Sequence, residues 1–267
     1  MSSSGLVRRA WELLWRNPSI FNLVFWSLIL SLAVDLVFQS RLSHYLPPAF
    51  LHPRLGMTAG QLALHLPPGG AVRLGLFMAT LLLIVTPYRL AGLYGGAGQL
   101  IRKRGVTVGY WLLFFEAGWR LFWRGLTATL GALALALVLV LLALGLSLLG
   151  TVAGAFGLLL LIPWVVLFVW SIGFALMGLG AVMANDRPVQ EAISFSWAWA
   201  RVHWQQALRL GLLLGGLFLA AMLVLLLLAG IPVLGSILGL LGLWLLNAVV
   251  AVLPTVLYDE AATTRPA

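Results

Sequence analysis

The sequence predicts an all-α integral membrane protein, a bundle of six transmembrane helices with amphipathic helices at the cytoplasmic interface. Hydrophobic residues make up 62% of the 267 residues and charged residues only 9%, whereas soluble domains carry roughly 25% charged residues. Apolar runs long enough to cross a bilayer recur along the chain, and arginine and lysine gather between alternate runs. Because a soluble protein cannot bury so much apolar surface, we expect one membrane domain over residues 1–267.

The six predicted spans are the apolar runs of about 20 residues that a helix needs to cross hydrocarbon. They cover residues 19–39, 74–96, 126–149, 156–178, 208–229 and 233–257. Arg8 and Arg9 precede the first run, as they would in a signal peptide. That run is too long for a signal peptide and no small-x-small cleavage site follows it, so we expect it to remain as span one.

Basic residues predict the orientation of the spans through the positive-inside rule. They precede span one and fill the connections between spans two and three and between spans four and five: Arg8, Arg9, Arg16; Arg102, Lys103, Arg104, Arg120, Arg124; Arg187, Arg201, Arg209. The other side has only Arg41, Arg54 and Arg73, in one connection. We therefore expect a multi-pass protein of the plasma membrane with both termini in the cytoplasm.

Three cytoplasmic segments, 6–16, 106–124 and 189–205, combine tryptophans with a polar stripe at helical spacing. In the second segment Glu116 and Arg120 are four residues apart, as are Arg120 and Arg124, and residues at that spacing share one helix face. This pattern is typical of a helix that lies in the membrane interface. Each segment precedes an odd-numbered span, so we expect three degenerate units of surface helix, outward span and inward span.

Three polar residues, Asp35, Arg89 and Asn247, fall inside the predicted spans. Asp35 lies about 6 Å from the outer end of span one, while Arg89 and Asn247 lie about 24 Å and 21 Å from the outer end of their spans by helix rise. We therefore expect Arg89 to meet Glu116, Asn247 or a lipid phosphate rather than Asp35. Either these side chains line a cavity open to the cytoplasm, or Arg89 is a snorkelling anchor and Asp35 is reached by water.

Span two is predicted to be irregular, because Pro87 is followed by a glycine run that begins at Gly92. Broken helices mark binding sites in many transporters, but glycines also simply permit close helix packing. Basic residues follow this span and continue into the next segment: Arg102, Lys103, Arg104, Arg120 and Arg124. They either determine topology or contact anionic lipid headgroups, at about 1 kcal/mol for each charge.

The sequence predicts no catalytic residue, cofactor or metal site. Without cysteine it has neither a thiolate nucleophile nor cysteine ligands for zinc. His44, His52 and His65 match no zinc spacing, and the usual metalloprotease, serine hydrolase and phosphate-loop motifs do not occur. The net charge is +9, and the basic residues that give this charge flank apolar runs. This placement indicates a bilayer with anionic headgroups rather than nucleic acid as the partner.

Four short motifs carry a family resemblance. They are Trp11-x-x-x-Trp15-Arg-Asn-Pro18, the Gly92-rich end of span two, Asn185-Asp186-Arg187-Pro188 with Glu191-Ala192 and Ser196, and Leu253-Pro254-Thr255-Val256-Leu257-Tyr258-Asp259. With them the chain resembles the multi-span membrane domain fused to some bacterial glycerophosphoryl diester phosphodiesterases, and its stand-alone relatives. The resemblance implies a shared membrane fold. A separate barrel performs hydrolysis in the fused proteins, so no catalytic residue carries over.

We therefore expect a non-enzymatic scaffold or accessory protein that organises lipid, a protein partner or a second copy of itself at the inner membrane face. The alternative is a small transporter or lipid translocator with a cytoplasm-facing cavity formed by Asp35, Arg89 and Asn247. An intramembrane enzyme is a third class, but the sequence offers no catalytic constellation for it.

Overall fold

The computed structural model describes residues 3–43, 70–102, 109, 111–153, 155–184, 187–228 and 232–263. Within these ranges all regular elements are helical. Ten α-helices follow one another: α1 Ser3–Arg16, α2 Ile20–Ser43, α3 Gly70–Leu90, α4 Gly96–Arg102, α5 Leu113–Arg120, α6 Phe122–Ala153, α7 Ala155–Leu179, α8 Val189–Val202, α9 Trp204–Leu228 and α10 Pro232–Thr263. Two π-helical turns complete them, Ala91–Gly95 between α3 and α4, and Gly180–Ala184 after α7.

Six stretches of the described chain are helical, long and apolar enough to cross a membrane. They are Ile20–Phe38, Val72–Arg102, Phe122–Ser147, Ile162–Met183, Trp204–Val224 and Leu241–Thr263. Each overlaps one of the six predicted spans, so the predicted number and order of long apolar helices are confirmed. They are recognisable from sequence because about 20 apolar residues in a row are rare in a soluble helix.

The hydrophobic core lies at one end of the bundle, where α1 packs against the C-terminal half of α10. We call this the core end. Its centre is formed by the ends of spans two, four and six, which bury Leu93, Met177 and Leu253. The opposite halves of the helices leave large apolar side chains exposed, such as Leu137 at 59% and Leu219 at 61%.

The helices repeat the order of short helix, span and span three times. Each short helix packs on the second span of the preceding unit: α5 on the turn Ala91–Gly95, α8 on α7, and α1 on α10. The second span of each unit also contacts the first span of the next unit: α3 contacts α6, α7 contacts α9 and α10 contacts α2. The contact of α1 and α2 with α10 closes the series into a ring.

Glycines permit the closest helix crossings in this ring. A Cβ atom would collide with the backbone of a neighbouring helix at five of them: Gly92 at Phe114, Gly125 at Pro87, Gly173 at Ala207, Gly180 at Pro254 and Gly211 at Val169. Small residues at crossings let two helix backbones approach each other. The close approach of Gly92 to Phe114 supports the packing interpretation of the glycines in span two.

Two of the predicted surface helices end earlier than the sequence pattern indicated. Within the described part of the segment predicted over 106–124, the short helix covers Leu113–Arg120 and ends at Leu121, whose φ is −102° and ψ 11°. Arg124 therefore belongs to the span helix α6. Similarly, α8 stops before His203, whose φ is −109° and ψ 41°. The spacing of apolar and polar side chains does not predict a helix break that is caused by the backbone conformation of a single residue.

Candidate functional site

Exposed tryptophans surround the core end. They lie on α1 and α8, in and just before α5, and at the first residues of the spans that follow α5 and α8: Trp11, Trp15, Trp111, Trp119, Trp123, Trp197 and Trp204. Trp119 and Trp123 are the most exposed of these, at 78% and 74%. A large aromatic side chain is normally buried in a protein surrounded by water, so this arrangement indicates a surface that meets another apolar phase.

The three short helices are fixed to the bundle by their opposite faces. In α1, Leu6, Ala10 and Leu14 recur every four residues and are buried. Phe114 of α5 and Phe195 of α8 are buried in the same core. Each short helix thus has an apolar face against the protein and a second face with its exposed tryptophans. The apolar residues of each predicted amphipathic segment are therefore divided between a buried face and a face with exposed tryptophans.

Charged residues on these helices pair at helical spacing. Arg8 Nε lies 3.0 Å from Glu12 Oε1 on α1, and Arg120 Nη1 lies 3.9 Å from Glu116 Oε1 on α5. Glu116 and Arg120 of the predicted polar stripe therefore lie on one helix, whereas Arg124 belongs to the next helix, α6. Lys103 and Arg104, which were predicted to contact anionic lipid, lie outside the described residues.

Arg102 forms an internal ion pair instead of projecting freely from the span end. It pairs with Asp259 of α10, and only 17% of its side chain is exposed. Its guanidinium also lies 6.0 Å from the centroid of the Tyr258 ring, and Arg187 lies 5.6 Å from the same centroid. This cluster ties α4, the start of α8 and the end of α10 together. The sequence pattern predicts that Arg102 either determines topology or contacts anionic lipid, and it does not indicate Asp259 as a partner, although acidic residues are rare in this chain.

Arg89 contacts span one. Its Nε donates a hydrogen bond to Ser27 Oγ at 3.2 Å. Ser27, Ser31 and Asp35 are four residues apart, and they form one polar stripe on α2. Among the described residues Arg89 forms no ion pair with Asp35, and its partner Ser27 was not predicted from the sequence.

Asn247 does not use its amide for a partner on another helix. Its Nδ2 donates to the carbonyl of Leu243 on the same helix at 2.8 Å. The structure therefore places Arg89 of α3 against Ser27 of α2, and Asn247 bonds within α10. Within the described ranges no cluster of three or more histidine, aspartate or glutamate residues is arranged to hold a metal ion. His44, His52 and His65 fall outside those ranges.

The fold and this geometry define a helical protein with six helices able to span a membrane. Comparison with models of protein families, with curated proteins and with solved structures finds no match to the chain. The resemblance to the phosphodiesterase-associated membrane domain therefore stays a prediction.

Proposed function

We propose that this protein is a non-enzymatic scaffold of the plasma membrane that gathers anionic phospholipid at the cytoplasmic face, where both of its termini lie. The observation that carries this proposal is the set of exposed tryptophans around the core end. Tryptophan prefers the boundary between hydrocarbon and headgroups. The core end would then lie at one membrane interface, and the exposed apolar halves of the spans would lie in hydrocarbon.

Arginines accompany the tryptophans in sequence. Arg16 follows Trp15, Arg120 follows Trp119, and Arg201 lies near the end of α8, all three exposed to the surroundings. An arginine close to an anionic leaflet contributes about 1 kcal/mol of attraction. The three short helices would thus enrich anionic lipid on three sides of the ring, and the closed packing of the ring would keep those sides at fixed distances from one another.

The test measures lipid composition next to the tryptophans. The full chain is reconstituted in phosphatidylcholine nanodiscs that contain a minor fraction of dansyl-phosphatidylglycerol, and energy transfer from tryptophan to dansyl is compared with dansyl-phosphatidylcholine. Wild type should favour the glycerol lipid. The variant Arg16→Gln/Arg120→Gln/Arg201→Gln should lose most of that preference.

The matched control removes arginines from the far end of the bundle. The variant Arg41→Gln/Arg73→Gln lowers the net charge by two, against three in the test variant, and leaves the core end intact, so its lipid preference should equal that of wild type. Equal transfer to both dansyl lipids in wild type, or an equal loss in the control, would contradict the proposal. Orientation is tested separately, with reporter fusions at residues 109 and 267, which should both report the cytoplasm.

A second candidate is a small transporter or lipid translocator, favoured by the hydrogen bond of Arg89 to Ser27 inside the spanning helices. A charge at this depth is costly and often lies on a substrate path. In liposomes with a fluorescent phospholipid, wild type should accelerate bleaching of the inner leaflet by dithionite, and Arg89→Ala should abolish that acceleration. A wild-type rate equal to that of protein-free liposomes would eliminate this function.

A further inference from the structure

A groove of about 380 Å³ runs between α6, α7 and α8 near the core end. Its sides are formed by Leu135, Phe174 and Ile193, and small residues deepen it. Gly131 of α6 and Gly178 of α7 are two of these small residues, and a Cβ at Gly131 would meet no atom within 4 Å. The groove thus exists because small side chains face each other where two span helices pass.

The polar atoms that border the groove already have partners. Thr127 Oγ1 donates to the carbonyl of Arg124 at 2.9 Å, and Ser196 Oγ donates to the carbonyl of Ala192 at 2.6 Å. Neither hydroxyl therefore offers a free proton to a ligand. The rest of the lining is formed by apolar side chains and glycine, so the groove favours a hydrocarbon chain.

The groove is about as long as the lipid chains of one leaflet. The lining of α6 from Thr127 to Leu135 is about 12 Å long by helix rise, against roughly 15 Å of hydrocarbon in one leaflet. A single acyl chain is slender enough to enter it.

A basic residue, Arg124, lies near one end of the groove and outside its lining. Arg124 lies three residues before Thr127 and four before Ala128, so it sits one turn closer to the core end on the same face of α6. Trp123 beside it is largely exposed. A cation and an aromatic ring at one end, with apolar walls beyond them, match the order of groups along a phospholipid.

We propose that this groove holds one acyl chain of an anionic phospholipid, whose phosphate lies beside Arg124. The proposal rests on the proposed function for its membrane orientation, and it adds one defined binding site to the general enrichment of lipid around the short helices. The lipid of the surrounding leaflet is the occupant because it borders the groove at high concentration and meets both its apolar walls and its charged end.

Gly131→Leu fills the groove without strain, since the space beyond its Cα is open and leucine favours helix more than glycine does. Gly145→Leu is the matched control. It lies on the same helix, its Cβ also meets no atom within 4 Å, and it lies outside the groove. Any general effect of adding leucine to α6 should appear in both variants.

The experiment titrates delipidated full-length protein in detergent with dioleoyl-phosphatidylglycerol or dioleoyl-phosphatidylcholine and counts retained lipid by native mass spectrometry. Wild type and Gly145→Leu should retain one phosphatidylglycerol. Gly131→Leu should bind it about tenfold more weakly, as expected when two methylene contacts are lost. Arg124→Gln should bind both lipids equally, and Arg124→Lys should restore the preference for phosphatidylglycerol.

Unchanged retention in Gly131→Leu, an equal loss in Gly145→Leu, or no retained lipid in wild type would overturn the proposal. No preference for phosphatidylglycerol in wild type would overturn the role of Arg124. The dansyl-lipid measurement separates this site from the proposed function, because Gly131→Leu should keep the general enrichment of anionic lipid. One retained lipid without general enrichment would refute the scaffold and leave the groove supported.

Discussion

Replacement of Gly180 by alanine tests the central crossing of the ring. Gly180 lies in the second π-helical turn, and its missing Cβ would point at the backbone carbonyl of Pro254 in α10. The Cβ of Tyr258 would be 3.1 Å away on the same side. These are backbone and near-backbone atoms that no side-chain rotation can move aside, so α10 would have to shift as a whole.

We expect Gly180→Ala to lower the free energy of unfolding by about 1–3 kcal/mol, the usual cost of adding a methyl group to a packed core. Gly178→Ala, two residues earlier, is the control. Its Cβ would meet only Ser196 Oγ, at 3.5 Å, an ordinary van der Waals contact. Because alanine favours helix over glycine by up to about 1 kcal/mol, the control should be neutral or stabilising.

Unfolding by sodium dodecyl sulfate in mixed micelles measures both variants, with the fluorescence of the twelve tryptophans as the signal. The two substitutions add the same group to neighbouring positions, so their difference isolates the contact with α10. If Gly180→Ala unfolds at the same detergent fraction as Gly178→Ala, the close approach of the fourth and sixth spans is refuted.

Three further substitutions probe single contacts by the same unfolding assay. Gln99→Met should stabilise the protein by about 1–3 kcal/mol. The reason is that neither the amide nitrogen nor the amide oxygen of buried Gln99 has a hydrogen-bond partner among the described residues. A loss of stability would show that the amide does have a partner. Trp164→Phe should cost about 1 kcal/mol by removing the hydrogen bond of 2.9 Å to the carbonyl of Leu139. Ser27→Ala should cost about 1.5–3 kcal/mol because it leaves Arg89 without its hydroxyl acceptor, and no change would contradict that contact.

The spans and their repeated order follow from local sequence, because the length of an apolar run and the spacing of tryptophans are properties of neighbouring residues. The irregular end of span two was predictable for the same reason, since glycines cluster after Pro87. The structure realises this irregularity as the π-helical turn Ala91–Gly95.

Contacts between distant segments were not predictable in this way. Arg102 and Asp259 are separated by 157 positions in sequence, and no local pattern joins them. Ser27 is one serine among many apolar residues in its span and carries no signal of its own for a contact with Arg89. The lipid groove is likewise invisible in sequence, since it depends on which small residues of α6 and α7 face each other.

The first π-helical turn explains how Arg102 reaches its partner. A π turn adds one residue to an α-helix, and one residue corresponds to a rotation of about 100° around the helix axis. Every side chain after Gly95 is therefore rotated by that amount from the position that an unbroken helix would give it. Without the extra residue, the side chain of Arg102 would be rotated by about 100° from the direction in which it now meets Asp259. The irregularity of span two thus orients the ion pair that closes the core end, where the exposed tryptophans and the lipid groove also lie.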